Sequence, residues 1–302
     1  MKPERRSAPI SIGIPFYNAE AFLADALRSV FAQTHEEWEL ILVDDGSTDR
    51  SLDIAKSVRD PRVRVISDGK NRRLPYRLNQ IAAEAKYDLI GRMDADDLIS
   101  PNRFQKQLEI LQNHPGIDLV TAGVCSITTD NRPIGVRGGH PEDIISGRTL
   151  LLGQCAVVHA AILGRRAWFL RNPYDESINR TEDYELWLRA FSRGDFKLYI
   201  MSDFFYYYRE EENLTPRRQL IAYASQRKLY QQYGHLGLKS YELPLLIAKA
   251  YAKSAVVHVL SAAGRMDILL KRRNEAITDK TMMDNFTREI KQILETKVPG
   301  LD

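Results

Sequence analysis

The first hundred residues alternate between short apolar runs and segments whose apolar residues recur at helical spacing. Residues 40–43 form a continuous apolar run, which is typical of a strand covered on both faces. Periodicity predicts strands at 10–14, 40–43, 63–66 and 87–90, and helices at 18–31, 51–58 and 74–85. This order predicts an α/β fold with a Rossmann-like, mostly parallel sheet flanked by helices.

Polar motifs follow three of the predicted strands at the points where those strands end. Pro15-Phe16-Tyr17-Asn18 follows the first strand, Asp44-Asp45-Gly46-Ser47 the second, and Asp94-Ala95-Asp96 the fourth. The carboxyl ends of parallel strands meet at one edge of a sheet, where α/β folds bind their ligands. The three motifs are therefore predicted to form one site.

Asp94 and Asp96 are one residue apart in a bend after an apolar strand, so both carboxylates can turn toward one cation. Carboxylate oxygens suit Mg²⁺ or Mn²⁺, and the remaining coordination positions are left for phosphate oxygens and water. An Asp-x-Asp pair by itself is common in solvated loops. Its position after the strand, together with the two upstream motifs, favours a divalent-metal site.

Charge and cysteine content exclude several classes of function. The 43 basic residues barely exceed the 40 acidic ones, so the chain lacks the basic excess of a nucleic-acid binder. Cys125 and Cys155 have neither metal-ligand spacing nor the density of a disulfide scaffold, and they are expected to be buried free thiols. An apolar share of 44% is ordinary for a protein with a packed core.

The second half alternates less regularly and ends in helix formers. The pattern predicts helices at 101–113 and 181–192, and strands at 117–122, 157–163, 196–200 and 204–209. Beyond 210 the composition favours helices, which places a boundary near that residue. The apolar stretch 243–263 contains Lys249, Lys253 and His258, so it is expected to be a packed helix rather than a membrane span.

Three segments resemble the family-two glycosyltransferases, which are inverting enzymes with the GT-A fold. They are Ser11-Ile-Gly-Ile-Pro-Phe-Tyr-Asn18, Ser29-Val-Phe-Ala-Gln-Thr34 and Leu42-Val-Asp-Asp-Gly-Ser-Thr-Asp49. Asp94-Ala-Asp96 stands where that family keeps its Asp-x-Asp motif, and Thr181-Glu-Asp-Tyr-Glu-Leu-Trp-Leu-Arg189 resembles its later acid-bearing helix. The resemblance covers about residues 10–205. It implies a GT-A domain over 1–210, with a nucleotide-sugar-binding half (8–115) and an acceptor-binding half (116–210), followed by a C-terminal helical region (211–302).

The resemblance also implies roles for individual residues. The nucleotide of a sugar donor would be held by Pro15, Tyr17, Asp44 or Asp45, and Arg73, with Arg77 as the competing arginine because 71–77 depart from the family's small-residue loop. Asp94 would contact the ribose or metal region, Asp96 would coordinate a divalent metal on the diphosphate, and Asp183 would be the catalytic base. No Gln-x-x-Arg-Trp motif of processive synthases occurs, which favours addition of a single sugar.

The chemistry of glycosyl transfer explains why such residues would be needed. A divalent ion neutralises the charge that develops on the departing diphosphate, and a carboxylate base takes the proton of the acceptor hydroxyl. Aligned donor and acceptor permit in-line attack, which inverts the anomeric centre. Glu182 is the alternative base, and acids in the first helical turn after Thr181 can also serve only the helix dipole.

Other residues have two readings. Tyr17 can stack on a nucleobase or cover the core, and Asp44 and Asp45 can either contact the nucleotide or close an Asx turn. His159 can face the ligands or be a satisfied core histidine. The aromatic run 204–208 is expected to be core.

The leading hypothesis is a metal-dependent transfer from a nucleotide sugar, with UDP-sugars favoured, to a saccharide or glycolipid acceptor in surface polysaccharide or glycoconjugate synthesis. The alternatives are a sugar nucleotidyltransferase and a non-catalytic nucleotide-sugar or glycan-binding module. The polar, basic start indicates a cytoplasmic protein. Basic residues at Arg217–Arg218 and 271–273 suggest peripheral contact with anionic lipid at the membrane's inner face.

Overall fold

The structure is a computed structural model of the chain, and it describes residues 8–140, 145–155, 157–178, 180–209, 215–265, 268 and 274–302. Its strands are β1 (Ile10–Phe16), β2 (Trp38–Asp44), β3 (Val63–Ser67), β4 (Leu89–Arg92), β5 (Leu98–Ile99), β6 (Leu119–Ile127), β7 (Pro133–Arg137), β8 (Leu163–Arg165) and β9 (Leu198–Arg209). Its α-helices are α1 (Leu23–Phe31), α2 (Ser51–Ser57), α3 (Arg73–Glu84), α4 (Arg103–Asn113), α5 (Gly147–Leu151), α6 (Arg166–Arg171), α7 (Glu182–Ser192), α8 (Pro216–Tyr233), α9 (Glu242–Ala262) and α10 (Lys280–Glu295).

One sheet organises the molecule, in the order β3-β2-β1-β4-β8-β6-β9-β5, with β7 paired to β6. The first four strands of this order are parallel, as predicted from their alternation with helices. β6 and β9 run in the same direction as those four, whereas β5, β7 and β8 run against them. The expected α/β class with a mostly parallel, helix-flanked sheet is confirmed.

The parallel half is covered on both faces. Every residue of β1 and β2 is buried, which explains why their sequences are apolar runs rather than alternating patterns. Gly91 in β4 is required by close packing, because a Cβ there would lie 2.4 Å from the Phe104 ring of α4. The buried strands hold their carboxyl ends at one edge, where the polar motifs lie.

Three predictions differ from the structure in the position, type or number of elements. Helix α1 begins at Leu23 rather than near Asn18, because Asn18 has a φ of 48° and its Oδ1 accepts a hydrogen bond from Thr48 N at 2.8 Å. Residues 157–163 do not form a strand: a 3₁₀ turn at His159–Ala161 precedes the short β8. The two strands expected at 196–200 and 204–209 are one long strand, β9.

The C-terminal region is helical, as predicted. Helix α10 packs against β6 and β9. Its Phe286, Ile290 and Ile293 form one buried cluster with Cys125 of β6 and Tyr207 of β9. Both cysteines are buried free thiols, as expected. The boundary near 210 falls within residues 210–214, and the basic run Lys271-Arg272-Arg273 is likewise outside the described residues.

Helix α9 differs from its prediction as a packed helix. Ala250 and Val257 are buried, but most of its other side chains are exposed. Within the described residues it is the one helix long and apolar enough to cross a membrane, judged by length and composition alone. Composition does not predict this exposure, because it does not show how many faces of an apolar helix are covered by other elements.

Candidate active site

Three adjoining cavities open at the carboxyl ends of β1, β2 and β4. The α7 cavity, about 450 Å³, is lined by Glu182 and Asp183. The α3 cavity, about 350 Å³, is lined by Asp45 and Arg73, and the β4 cavity, about 330 Å³, by Asp94 and Asp96. Leu74 borders all three. The structure thus brings the motifs that follow the parallel strands into one continuous cleft.

The end of β1 forms the wall between the α3 and β4 cavities. Pro15, Phe16 and Tyr17 line both of them. The Tyr17 side chain is 51% exposed, so its ring is available to a ligand rather than covering the core. Exposure of a large aromatic ring at a cavity wall fits the predicted stacking on a flat ligand.

Asp44 and Asp45 have different surroundings. Asp44 is buried, and its two oxygens accept hydrogen bonds from Ser47 N at 2.9 Å and Ser67 Oγ at 2.7 Å. It therefore closes the turn after β2, and none of the three cavities includes it. Asp45 lines the α3 cavity and accepts from the backbone N–H groups of Arg72 and Arg73 at 2.7 and 3.1 Å.

The two candidate arginines, Arg73 and Arg77, also have different surroundings. Arg77 is fully buried and donates to Asp45 at 2.9 Å, to Asp68 at 2.6 Å and to Lys70 O at 2.5 Å. Burial disfavours its charge, but Asp68 and Asp45 outweigh that cost and raise its pKa. Arg73 is exposed at the edge of the α3 cavity, and its side chain makes one long contact, 3.4 Å to Glu176 O. Both arginines line the α3 cavity, and Arg73 is the one whose side chain is exposed there.

Replacing Arg77 with Met is expected to destabilise the protein by about 3–5 kcal/mol, because Asp45 would lose its buried partner. Urea unfolding measures this free energy. Arg73→Met on the same helix is the matched control, and it is expected to cost less than about 1 kcal/mol because its side chain is exposed. Equal costs for the two variants would contradict the separation of roles.

Asp94 is fixed by a buried guanidinium. Arg92 forms an ion pair with Asp94 Oδ1. Burial opposes the charge of Arg92, but Asp94 acts together with Tyr174, Tyr206 and Glu182 to raise its pKa. The backbone N–H of Asp94 donates to the Tyr206 hydroxyl at 3.0 Å. Asp94 lies on the border of the α7 and β4 cavities, so it faces both.

A buried acid, Asp97, also supports this bend. Asp97 accepts from the Tyr206 hydroxyl and from the Arg209 backbone N–H, each at 2.8 Å. Burial and the charges of Asp96 and Asp94 raise its pKa well above the ordinary value. The long strand β9 thereby holds the 94–97 bend in place, although its aromatic residues are mainly core, as predicted.

Asp94 and Asp96 fit a divalent cation that keeps other ligands. No group of three or more His, Cys, Asp or Glu side chains in the described ranges is arranged to hold a metal. The two carboxylates line the same cavity as Tyr17, and they are oxygen donors of the kind that Mg²⁺ and Mn²⁺ prefer. An ion held here would take its remaining ligands from phosphate oxygens and water.

Asp183 and Glu182 enter the α7 cavity from the start of α7. Thr181 occupies the N-cap position, but its side chain makes no capping bond; Asp183 Oδ1 instead accepts from Tyr184 N at 2.7 Å. Burial and the negative charge of Asp183 raise the pKa of Glu182, and burial raises that of Asp183. Glu182 Oε2 is buried with no hydrogen-bond partner among the described residues.

His159 lies beside Asp183. Its Nδ1 is 3.8 Å from Asp183 Oδ2, and its Nε2 is 2.7 Å from the Tyr174 hydroxyl. Burial and the positive charge of Arg92 lower its pKa well below the ordinary value. His159 therefore combines both readings given to it, since it is packed against Trp187 and also lines the α7 cavity.

The sequence does not predict a site role for four residues that line the cavities or support their walls. They are Tyr206, Tyr208, Arg137 and Arg180. The alternation of 204, 206 and 208 along a strand was an available signal for the tyrosines. The only sequence signal for Arg180 is its position directly before Thr181, although it lines both the α7 and α3 cavities.

Backbone strain is concentrated at the cleft. Among the described residues, four non-glycine residues have positive φ, and three of them, Asn18, Arg73 and Arg180, line the cavities. Such conformations persist only where the surrounding structure enforces them, and they cluster at functional sites.

Comparison with known proteins gives a consistent result. The family described as Glycosyl transferase family 2 matches residues 11–171. EpsE of Bacillus subtilis (strain 168) is 33% identical over 215 residues, which cover 69% of this chain and 76% of that protein.

Two solved structures share the fold. Staphylococcus aureus TarS 1–349 in complex with UDP-GlcNAc superposes with a TM-score of 0.58 and 17% identity, covering 94% of this chain and 89% of that one. The mannosyltransferase PcManGT of Pyrobaculum calidifontis in complex with GDP-Man and Mn²⁺ has a TM-score of 0.58 and 14% identity, covering 96% and 86% of the two chains.

Proposed function

The chain belongs to glycosyltransferase family 2, and from that premise we propose that it transfers a sugar from a nucleotide-sugar donor to a hydroxyl of a saccharide or glycolipid acceptor, with inversion. The product would be a surface polysaccharide or glycoconjugate. We assign donor binding to residues 8–115, acceptor binding to 116–210, and a separate helical region to 211–302.

One observation carries this proposal. The acids of α7 and the acids of the 94–97 bend face the same cleft, since Asp94 and Asp183 both line the α7 cavity. Inverting transfer needs two functions on opposite sides of the reacting carbon: stabilisation of the departing diphosphate and removal of the acceptor proton. The cleft offers acidic groups at two separate positions for these functions.

The donor nucleotide is assigned to the α3 cavity. Tyr17 would stack on the base, Pro15 would shape the wall beside it, and Asp45 would accept from a polar group of the base or ribose. Arg73 would meet donor oxygens from the exposed side. The TarS complex contains UDP-GlcNAc and the PcManGT complex GDP-Man, so both nucleotides suit this fold, and we favour a UDP-sugar. Asp44 is assigned to the turn instead.

A divalent metal is assigned to Asp96, with Asp94 next to it. When bound, the ion would neutralise charge on the donor diphosphate. Asp94 is already paired with Arg92, which fixes its orientation but shares its charge. Asp96 lines the β4 cavity together with Asp94, and Mn²⁺ in the PcManGT complex supports an ion of this class.

Asp183 is the proposed base, and Glu182 is the alternative. Asp183 Oδ1 is held by Tyr184 N, which leaves Oδ2 toward His159 and the cavity. A carboxylate with one fixed and one available oxygen can receive the acceptor proton without reorganising. His159 Nδ1, 3.8 Å from Oδ2, borders this carboxylate without a hydrogen bond to it. Glu182 has a buried oxygen, so it has less room to act on an acceptor.

A thermal-shift panel tests the proposed function. The full chain would be combined with UDP, GDP or dTDP, each with Mn²⁺, Mg²⁺ or EDTA. A ligand that binds only the folded state raises the melting temperature. We expect a shift for UDP that EDTA abolishes. The absence of a shift for every nucleotide, together with no sugar transfer, would contradict the proposal and favour a non-catalytic module.

A further inference from the structure

The outer face of α9 is apolar and exposed. Leu245, Val256 and Val259 expose 64%, 50% and 67% of their surface, and the spacing of these residues places them on one stripe of the helix. Five of the eight large apolar side chains exposed among the described residues lie between 241 and 259. A concentration of this kind marks an interaction surface, because isolated exposed apolar residues are ordinary and a contiguous patch is not.

The charge of the same region is strongly biased. Residues 215–265, here called the α8–α9 hairpin, contain eight Lys and Arg residues and a single acid, Glu242. The other 251 residues contain 35 basic and 39 acidic residues. Glu242 is already bound by Arg148 through two contacts of 2.7 Å. The near-neutral charge of the whole chain is therefore the sum of a basic hairpin and an acidic remainder.

Part of this positive charge lies next to the apolar stripe. Lys249 and Lys253 are one helical turn apart, where like charges repel. Burial and the charge of Lys249 lower the pKa of Lys253. The Lys253 ammonium is 5.6 Å from the centre of the Tyr223 ring, a neutral neighbour. The edge of the stripe is thus positive, and a partner of opposite charge would be favoured.

The charge and the apolar character of the outer face of α9 favour one class of partner over the others. In a symmetric pair of copies, the Lys249 and Lys253 side chains of both copies would border the same interface, and Glu242 would bring no free carboxylate to balance them. Insertion across a bilayer is disfavoured because Ala250 and Val257 are buried in the protein. A helix with one face on the protein, an apolar outer face and lysines at its edge suits the boundary between lipid headgroups and acyl chains.

We propose that the α8–α9 hairpin docks on an anionic lipid bilayer, with α9 lying in the plane of the interface. Leu245, Val256 and Val259 enter the acyl boundary, and the basic residues meet the lipid phosphates. The basic run at 271–273 lies outside the described residues and is not used in this proposal, which requires neither donor nor metal.

Vesicle sedimentation of the full chain tests the proposal. Phosphatidylcholine vesicles with and without about one third phosphatidylglycerol would be compared at about 50 and about 500 mM NaCl. We expect binding to the anionic vesicles at low salt and a loss of at least about tenfold in the variant L245D/V259D. The matched control is L170D, which changes an exposed leucine on α6. It is expected to bind as the unchanged protein does.

A second variant, K249E/K253E, reverses the charge beside the stripe while keeping the stripe itself. It is expected to weaken binding to anionic vesicles, and circular dichroism checks that all variants are folded. Equal binding to both vesicle types, or unchanged binding by L245D/V259D, would overturn the proposal. So would a dimer in light scattering that L245D/V259D dissociates while no vesicle binding occurs, because a second copy would then cover the face. Transfer to a soluble acceptor is expected to be unchanged in L245D/V259D, which separates this test from that of the proposed function.

Discussion

Replacing Asp183 with Asn is expected to lower the turnover rate by about 10³-fold, within the range that a general base contributes. Asn keeps the size of Asp and can still accept from Tyr184 N, but it does not take a proton from an acceptor hydroxyl. Donor binding is therefore expected to be unchanged. Initial rates of nucleotide release with saturating donor and acceptor measure the first effect, and calorimetric titration of the nucleotide measures the second.

Glu182→Gln is the matched variant, because it removes the neighbouring carboxylate of the same cavity. It is expected to retain activity within about tenfold of the unchanged protein. Full activity in Asp183→Asn, combined with inactivity in Glu182→Gln, would reverse the assignment of the base. Loss of donor binding in Asp183→Asn would instead indicate that the acid belongs to the donor site.

The same pair predicts a pH dependence. Burial raises the pKa of Asp183, so its base form is lost at a higher pH than for an ordinary Asp, as pH falls through the raised pKa. The acid limb of the kcat/KM profile is therefore expected above about 4, the usual range for Asp.

Replacing Asp96 with Ala is expected to lower kcat/KM by about 10²–10³-fold, the size of a few kcal/mol of charge stabilisation. The variant is also expected to lose the EDTA-sensitive part of the nucleotide's thermal shift. Asp96 is a cleaner probe than Asp94, because removal of Asp94 would leave Arg92 with an unbalanced buried charge and destabilise the fold.

Asp53→Asn on α2 is the control for Asp96→Ala, since it changes an exposed acid outside the three cavities. It is expected to keep both activity and the metal-dependent shift. A metal-dependent shift that persists in Asp96→Ala would show that the ion is held elsewhere, and the metal assignment would then be wrong.

Local patterns predict the parts of this molecule that depend on local interactions. The strands and helices of the first hundred residues follow from apolar periodicity, and the position of the cleft follows from the parallel sheet. Tertiary contacts decide the rest. Asn18 delays α1 because it binds Thr48, thirty residues away. The three-residue strand β8 is too short to produce a periodic signal.

The same limit applies to individual site residues. The adjacent acids Asp44 and Asp45 are chemically identical, and only the surrounding fold gives one to a turn and the other to a cavity. Arg73 and Arg77 are divided in the same way. Arg180 acquires its place from a left-handed backbone conformation, which sequence alone does not predict for arginine.

The buried contacts of Arg77 have a consequence for changing donor specificity. Because Arg77 ties Asp45 to the loop at 68–70, the floor of the α3 cavity is already ordered before a nucleotide arrives. Little conformational entropy then has to be lost on binding, which favours affinity. The same rigidity makes the floor a poor target for redesign, since its residues also maintain the fold. A variant with a different nucleotide preference is more readily sought at Tyr17 and Arg73, whose side chains are exposed and can change without disturbing that framework.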